Sequence, residues 1–276
     1  MRKILVLFLF VALNAVAQKR IVILQTNDCH SQILPFNKNL ADKTKADLGG
    51  FTRRVAYVKQ QREKNPDLLL FDSGDFSQGS SYYNLFKGDV EIGLMNIMHY
   101  DAATIGNHEF DFGLDNMARI FRMAEFPIVC TNYDFKGTVL EDIVKPYVVL
   151  KRNGLKIGVF GLSPKLEGLV VKENYGSIKY LDPVSSARNV VKILREKEKC
   201  DLVVCLSHLG WKTGDEEPSD ERLIPLTDGI DVVLGGHTHS YVTPMDMVYN
   251  SKGNNVLISQ NGKSGMYISR FDIKLK

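Results

Sequence analysis

Six short apolar, β-branched runs punctuate the 276-residue chain, at 21–24, 68–71, 102–105, 157–160, 202–206 and 232–234. Runs of this length bounded by turn residues are the pattern of strands buried on both faces. Helical periodicity fills intervals between them at 51–64, 114–124 and 183–199. Strands alternating with helices confine the chain to an α/β architecture with largely parallel strands. Two stretches break the alternation. Residues 147–150 and 156–160 flank K-R-N-G, and 256–259 and 267–273 flank N-G-K-S-G. Both read as hairpins, so mixed sheets with antiparallel additions are expected. No repeat, low-complexity tract or Pro/Gly/Ser linker divides residues 18–276, which read as one domain.

The polar clusters behind these runs carry the chemistry. N-D-C-H (27–30) follows the first, S-G-D-F (73–76) the second and G-N-H-E-F-D (106–111) the third; S-H-L-G (207–210) and G-G-H-T-H (235–239) follow the fifth and sixth. Loops at the carboxyl ends of strands converge on one edge of an open α/β sheet, so all five clusters should face one site. Five of the six histidines, His30, His108, His208, His237 and His239, lie in them. Imidazole together with carboxylate and amide oxygen suits zinc, manganese, iron or cobalt. The supply exceeds the needs of one ion and matches two ions sharing a carboxylate, a pair able to clamp both ends of an in-line phosphoryl displacement.

Taken singly, each cluster has a plainer reading. D-x-H alone is most often a polar turn, Asp75 could be a turn aspartate and His208 a core histidine. His237 and His239 on one glycine-rich loop are harder to explain without a metal. Between Asp28 and His30, Cys29 should face away if the segment is extended, as a small buried hydrophobe under the loop. His99 reads as a packing or surface residue, and Tyr82, Tyr83 and Phe86 as core or edge packing. Trp211, just after S-H-L-G, is a weaker candidate for substrate contact.

Composition narrows the remaining classes. Arg2 and Lys3, the apolar run 4–13 and Ala15-Val16-Ala17 form a secretory signal peptide over residues 1–17, with cleavage expected after Ala17. Export to the periplasm or exterior is therefore expected, and no later stretch is long enough to span a bilayer. Without Arg2 and Lys3 the charge falls from +3 to +1, which argues against a nucleic-acid groove or an anionic-membrane surface. Cys29, Cys130, Cys200 and Cys205 lack C-x-x-C spacing and read as buried free thiols.

In order, D-C-H, G-D-F-S-Q-G-S, G-N-H-E-F-D, S-H-L-G and G-G-H-T-H resemble the calcineurin-like metallophosphoesterases, most closely the catalytic domain of the 5′-nucleotidase branch. The resemblance implies a four-layer α/β/β/α sandwich. It implies two divalent ions, the first held by Asp28, His30 and His239, the second by Asn107, His208 and His237, with Asp75 bridging. It makes His108 the catalytic histidine, Asp111 the carboxylate that orients it, and Glu109 a supporting residue. The implied activity is hydrolysis of phosphate esters, nucleotides above all, by attack of a metal-bridging hydroxide. A cyclic-nucleotide or other phosphodiesterase would use the same core, and a non-catalytic metal- or phosphate-binding protein is the alternative of another class. Members of this branch usually carry a C-terminal domain that grips the base, which these residues do not include. A separate polypeptide of that kind is an expected partner.

Overall fold

The structure is a computed structural model describing residues 19–214, 218–243 and 246–275. The signal-peptide reading, at 1–17, lies outside the described residues. Strands β1 (Lys19–Thr26), β2 (Leu69–Asp72) and β3 (Ala102–Ala103) run parallel in the first sheet. Residues 133–134 form β4, Tyr147–Arg152 β5, Leu155–Leu162 β6, and Lys179–Tyr180 β7. The chain continues through β8 (Leu202–Ser207), β9 (Val232–Leu234), β10 (Tyr241–Val242), β11 (Met247–Tyr249), β12 (Asn255–Asn261) and β13 (Ser269–Leu275). The first sheet has the order β13-β1-β2-β3, and the second β10-β12-β9-β8-β6-β5, with β11 also on β12. In the second sheet β6, β8, β9 and β12 are parallel, and β5 and β10 are antiparallel edges.

Side-chain alternation along the strands builds four layers. Ile21 and Ile23 of β1 point between the sheets, where they meet Ile157, Val159, Val204 and Leu234. Val22 and Leu24 point the other way, onto helices α1 (Phe51–Lys64), α3 (Asp89–Met98) and α4 (Gly113–Met123); α2 (Ser81–Phe86) precedes α3. In β8, Leu202, Val204 and Leu206 enter the inter-sheet core. Val203 and Cys205 face α6 (Pro183–Lys192) and α7 (Asp220–Leu226); the short α5 (Lys172–Tyr175) lies before α6. Strands with both faces buried have no polar alternation, which is why they read as continuous apolar runs. The α/β/β/α arrangement with mixed sheets is the expected one.

The first expected hairpin forms. Asn153 and Gly154, at φ 46° and 67°, make the tight turn between β5 and β6. The second does not. β12 belongs to the second sheet, whereas β13 crosses to the first and pairs antiparallel with β1 from Lys19↔Leu275 to Gln25↔Ser269. The N-G-K-S-G segment is a bridge between sheets, anchored by Ser264 N–H donating to the Asp28 carbonyl at 2.6 Å.

Candidate metal centre

Five strand ends deliver the polar clusters to one edge. Asp28 and His30 follow β1, Asp75 follows β2, Asn107 and His108 follow β3, His208 follows β8, and His237 and His239 follow β9. Asp28, His30, Asp75, His237 and His239 all have positive φ, between 44° and 78°. Non-glycine residues rarely occupy this region, and they persist there only when their surroundings over-determine them. The segment after β1 is thus kinked rather than extended. Cys29 does face away from Asp28 and His30, but through left-handed turns and not through strand alternation. It is buried, and its Sγ accepts from Arg54 Nη1 at 2.8 Å, so its neighbour is polar, contrary to the expectation of a purely apolar role. Burial pushes its thiol up to about 11, with Arg54 acting in the opposite sense.

The side chains gather into three overlapping groups: Asp28 with His30 and His239; His30 with Asp75 and His108; and Asp75 with His208 and His237. His30 Nε2 and His239 Nε2 are 2.9 Å apart, and Asp28 Oδ1 lies 3.4 Å from His239 Nε2 and 3.8 Å from both His30 Nε2 and His208 Nε2. Asp75 Oδ2 lies 3.1 Å from His208 Nε2. His208 Nδ1 donates to the Ser73 carbonyl at 2.6 Å, which turns Nε2 inward. That buried Nε2, the buried Asn107 Oδ1 and His30 Nδ1 have no hydrogen-bond partner. Buried polar atoms are rarely left unpaired, and imidazole nitrogen and amide oxygen without partners, beside clusters that share carboxylates, are the donor types divalent ions take. The residues fit two such ions.

Electrostatics agrees with that fit. Burial lowers His237 to about 4, helped by the neighbouring His208. Burial likewise lowers His30, so both imidazoles are neutral at pH 7. Burial opposes charge on Asp75 and on His208, but their mutual attraction prevails. Asp75 is held well below the carboxylate range, and His208, drawn by Asp75 and then Asp28, rises to about 10. Without a metal, Asp75 is thus ionised at neutral pH with His208 as its counter-charge, a place a bound cation would take over.

His108 and Asp111 lie beside the groups. His108 Nδ1 is 3.1 Å from Asp111 Oδ2, and its backbone N–H donates to Asp75 Oδ1 at 2.9 Å. Donating this hydrogen bond to Asp111 raises the His108 pKa against the effect of burial. Asn174 Nδ2 donates to the Asp111 carbonyl at 3.0 Å. Glu109 is fully buried and accepts from the backbone N–H of Asp75, Ser77 and Gly106 at 2.7–3.1 Å, the supporting role expected of it.

The other candidates are outside the clusters, though the Trp211 N–H donates to Thr238 Oγ1 at 3.0 Å and the Tyr83 hydroxyl to the His108 carbonyl at 3.4 Å. His99 is exposed at the end of α3. Trp211 packs on the core beneath the second sheet. Tyr83 is buried against Phe112, while Phe86 is exposed on α2. Two contributors escaped sequence reasoning. Asn27 Nδ2 donates to Asp28 Oδ2 at 2.6 Å while its Oδ1 accepts from Asn261 N–H, fixing the carboxylate. Gln260 braces the loop that carries His237 and His239. Asn27 is adjacent in sequence to the candidate ligand Asp28, but Gln260 carries no local signal.

A profile of the calcineurin-like phosphoesterases matches residues 21–241. The trifunctional nucleotide phosphoesterase protein YfkN of Bacillus subtilis is 31% identical over 263 residues, covering 83% of this chain and 17% of that protein. A snake venom 5'-nucleotidase of Crotalus adamanteus is 31% identical over 227 residues, 80% of this chain and 37% of its own. The 5'-nucleotidase precursor from Thermus thermophilus superposes with TM-score 0.80 at 27% identity, over 93% of this chain and 54% of that one. The chain thus spans well under two thirds of the length of these relatives. With the fold, the ordered motifs and the profile in agreement, the chain belongs to the calcineurin-like phosphoesterase family.

Proposed function

We propose that this chain is an exported, dinuclear-metal phosphohydrolase that cleaves phosphate esters, nucleotides among them. The observation that carries this reading is the set of three overlapping His/Asp clusters, linked through His30 and Asp75, with the buried Asn107 Oδ1 and His208 Nε2 left without hydrogen-bond partners. Asp28, His30 and His239 would hold one ion, Asn107, His208 and His237 the other, and Asp75 both. When bound, such ions supply Lewis-acid charge and a nucleophile from water at neutral pH.

The chain's own residues do the rest. Asp111 fixes the His108 ring through Nδ1 and leaves Nε2 to face the reacting phosphoryl group. There it stabilises developing charge and returns a proton to the leaving oxygen. Asn27, Glu109 and the Ser73 carbonyl keep the ligand side chains in place, so little reorganisation is needed when substrate binds.

A cavity of about 290 Å³, lined by Pro164, Leu169, Tyr180, Leu209 and His237, borders the site. It is at the small end for ligand pockets. Gripping a base would call for further groups, and a separate chain of the 5'-nucleotidase C-terminal-domain kind is the partner we propose. Export rests on the leader-like residues 1–17. Among the described residues no helix is long and apolar enough to cross a membrane.

The test is turnover of 4-nitrophenyl phosphate, bis(4-nitrophenyl) phosphate and AMP by the purified chain with added manganese or zinc, alongside elemental analysis. Two ions per chain and monoester hydrolysis are expected. Preference for the diester would favour the phosphodiesterase alternative. A folded, metal-loaded protein that turns over no ester, alone or with a partner chain, would overturn the enzyme reading.

A further inference from the structure

Gln260 lies in β12, outside every motif, and is 1% exposed. Its amide makes three hydrogen bonds, all to one five-residue loop. Nε2 donates to the Gly236 carbonyl; Oε1 accepts from Thr238 Oγ1 at 2.9 Å and from Ser240 N–H at 2.6 Å. These anchors bracket two ligands. His237 lies between the first and second, and His239 between the second and third. Both histidines have positive φ, 78° and 52°, a conformation their own chain does not favour. The ends of the loop are tied separately, by Gly235 N–H to the Ser259 carbonyl at 2.7 Å and Gly262 N–H to the Ser240 carbonyl at 2.8 Å. Inside the loop the Asp28 carboxylate accepts from the His237 N–H at 3.0 Å and Thr238 Oγ1 from the Trp211 N–H at 3.0 Å, but only Gln260 reaches residues on both sides of each histidine.

We propose that Gln260 is a positioning residue that holds His237 and His239 in ligating geometry for both ions at once, an inference that rests on the dinuclear reading above. The job needs a donor and an acceptor on one rigid plane. An ionised glutamate would accept from Thr238 and Ser240 but face the Gly236 carbonyl without a hydrogen to give. Asparagine offers both groups but is one methylene shorter. Outer residues that orient metal ligands typically change metal affinity 10–100-fold when removed.

The experiment titrates Mn²⁺ into the metal-stripped full chain by competition with a fluorescent chelator, comparing wild type with Gln260→Met and Gln260→Glu. Gln260→Met, which keeps the volume and loses all three bonds, should raise Kd for both ions by about 10–100-fold, with kcat recovering at saturating Mn²⁺. Gln260→Glu should fall between it and wild type, and it decides the matter if the methionine variant does not fold. Val256→Ala, in the same strand and buried in the core, controls for lost stability and should lower Tm without moving Kd. Two ions bound by wild type and by both Gln260 variants with equal affinity would overturn the positioning role alone. A wild-type chain that binds no Mn²⁺ would instead overturn the dinuclear reading and this role with it.

Discussion

At Gly236 a methyl group has no place to go. A Cβ there would lie 2.8 Å from His208 Nδ1, 3.0 Å from the Ser73 carbonyl oxygen and 3.1 Å from Asp28 Oδ2. Gly236→Ala must therefore displace one of those groups. The expected outcome is metal affinity reduced by about 10–100-fold, read by chelator competition, while wild-type affinity would mean the loop can yield. His108 is open to a sharper test, because its ring lies within reach of His30 and Asp75 as well as Asp111. As a proton donor and charge stabiliser, its loss in His108→Ala should lower kcat by roughly 10²–10⁴-fold with two ions still bound. Loss of an ion in that variant would make it a ligand instead. The seven ligand candidates were legible because each follows an apolar run, and the strand-end rule needs only order along the chain. The backbone twist that aims them was not. Nothing in N-D-C-H announces left-handed Asp28 and His30, and an extended reading of the segment gives Cys29 its direction for the wrong reason.

Between elements, Asp101 is the joint that ties the first sheet to its neighbours. Its Oδ2 accepts from the Leu70 N–H of β2 at 2.8 Å; Oδ1 pairs with Arg152 of β5 at 2.7 Å, and Arg62 of α1 stands 3.6 Å away. Burial raises the Asp101 pKa, with the Leu70 N–H and both guanidinium groups pulling it back. A carboxyl raised in the folded state contributes its full stability below its unfolded pKa and loses it as pH rises through the folded value. Asp101→Asn mimics the neutral form and keeps an acceptor for Leu70. It should be neutral to stabilising at pH 7, by less than about 1 kcal/mol, whereas Asp101→Ala, which orphans a buried N–H, should cost about 1–3 kcal/mol. Wild type should gain stability relative to Asp101→Asn as pH falls through that window until the two converge, a trend urea unfolding between pH 7 and pH 4 would detect. Pairings at this scale were unevenly legible. Asn153-Gly154 names its turn locally, but β1 with β13 joins the two ends of the described chain. A turn-like N-G-K-S-G cannot reveal that its second arm leaves for another sheet.

Across the whole molecule, the candidate centre is also a joint between the two sheets. Asp28, His30, Asp75 and Asn107 hang from the first sheet, and His208, His237 and His239 from the second. The layered fold was legible from alternation and resemblance together, since apolar runs flanked by amphipathic helices have few other ways to bury both faces. Sequence order could not show that candidate ligands from the two sheets meet. Asp28 and Asp75 are both buried, with His208 Nε2 3.8 Å and 3.1 Å from them, so an ion between the sheets would offset the burial of carboxylates from the first sheet. Any ion bound by the folded chain and not by the unfolded one stabilises it by about 2.7 kcal/mol at a hundredfold excess over Kd. For a chain of this size, 1 kcal/mol corresponds to roughly 2–4 °C in Tm. Stripping the protein with a chelator should therefore lower Tm by about 5–10 °C, and returning manganese or zinc should restore it. The shift should be largest in wild type and shrink in His208→Ala, whose ring is the fully buried candidate ligand from the second sheet. A Tm indifferent to chelation, measured by calorimetry on protein shown to carry metal beforehand, would mean the ions do not couple the sheets and that the protein interior alone holds them together.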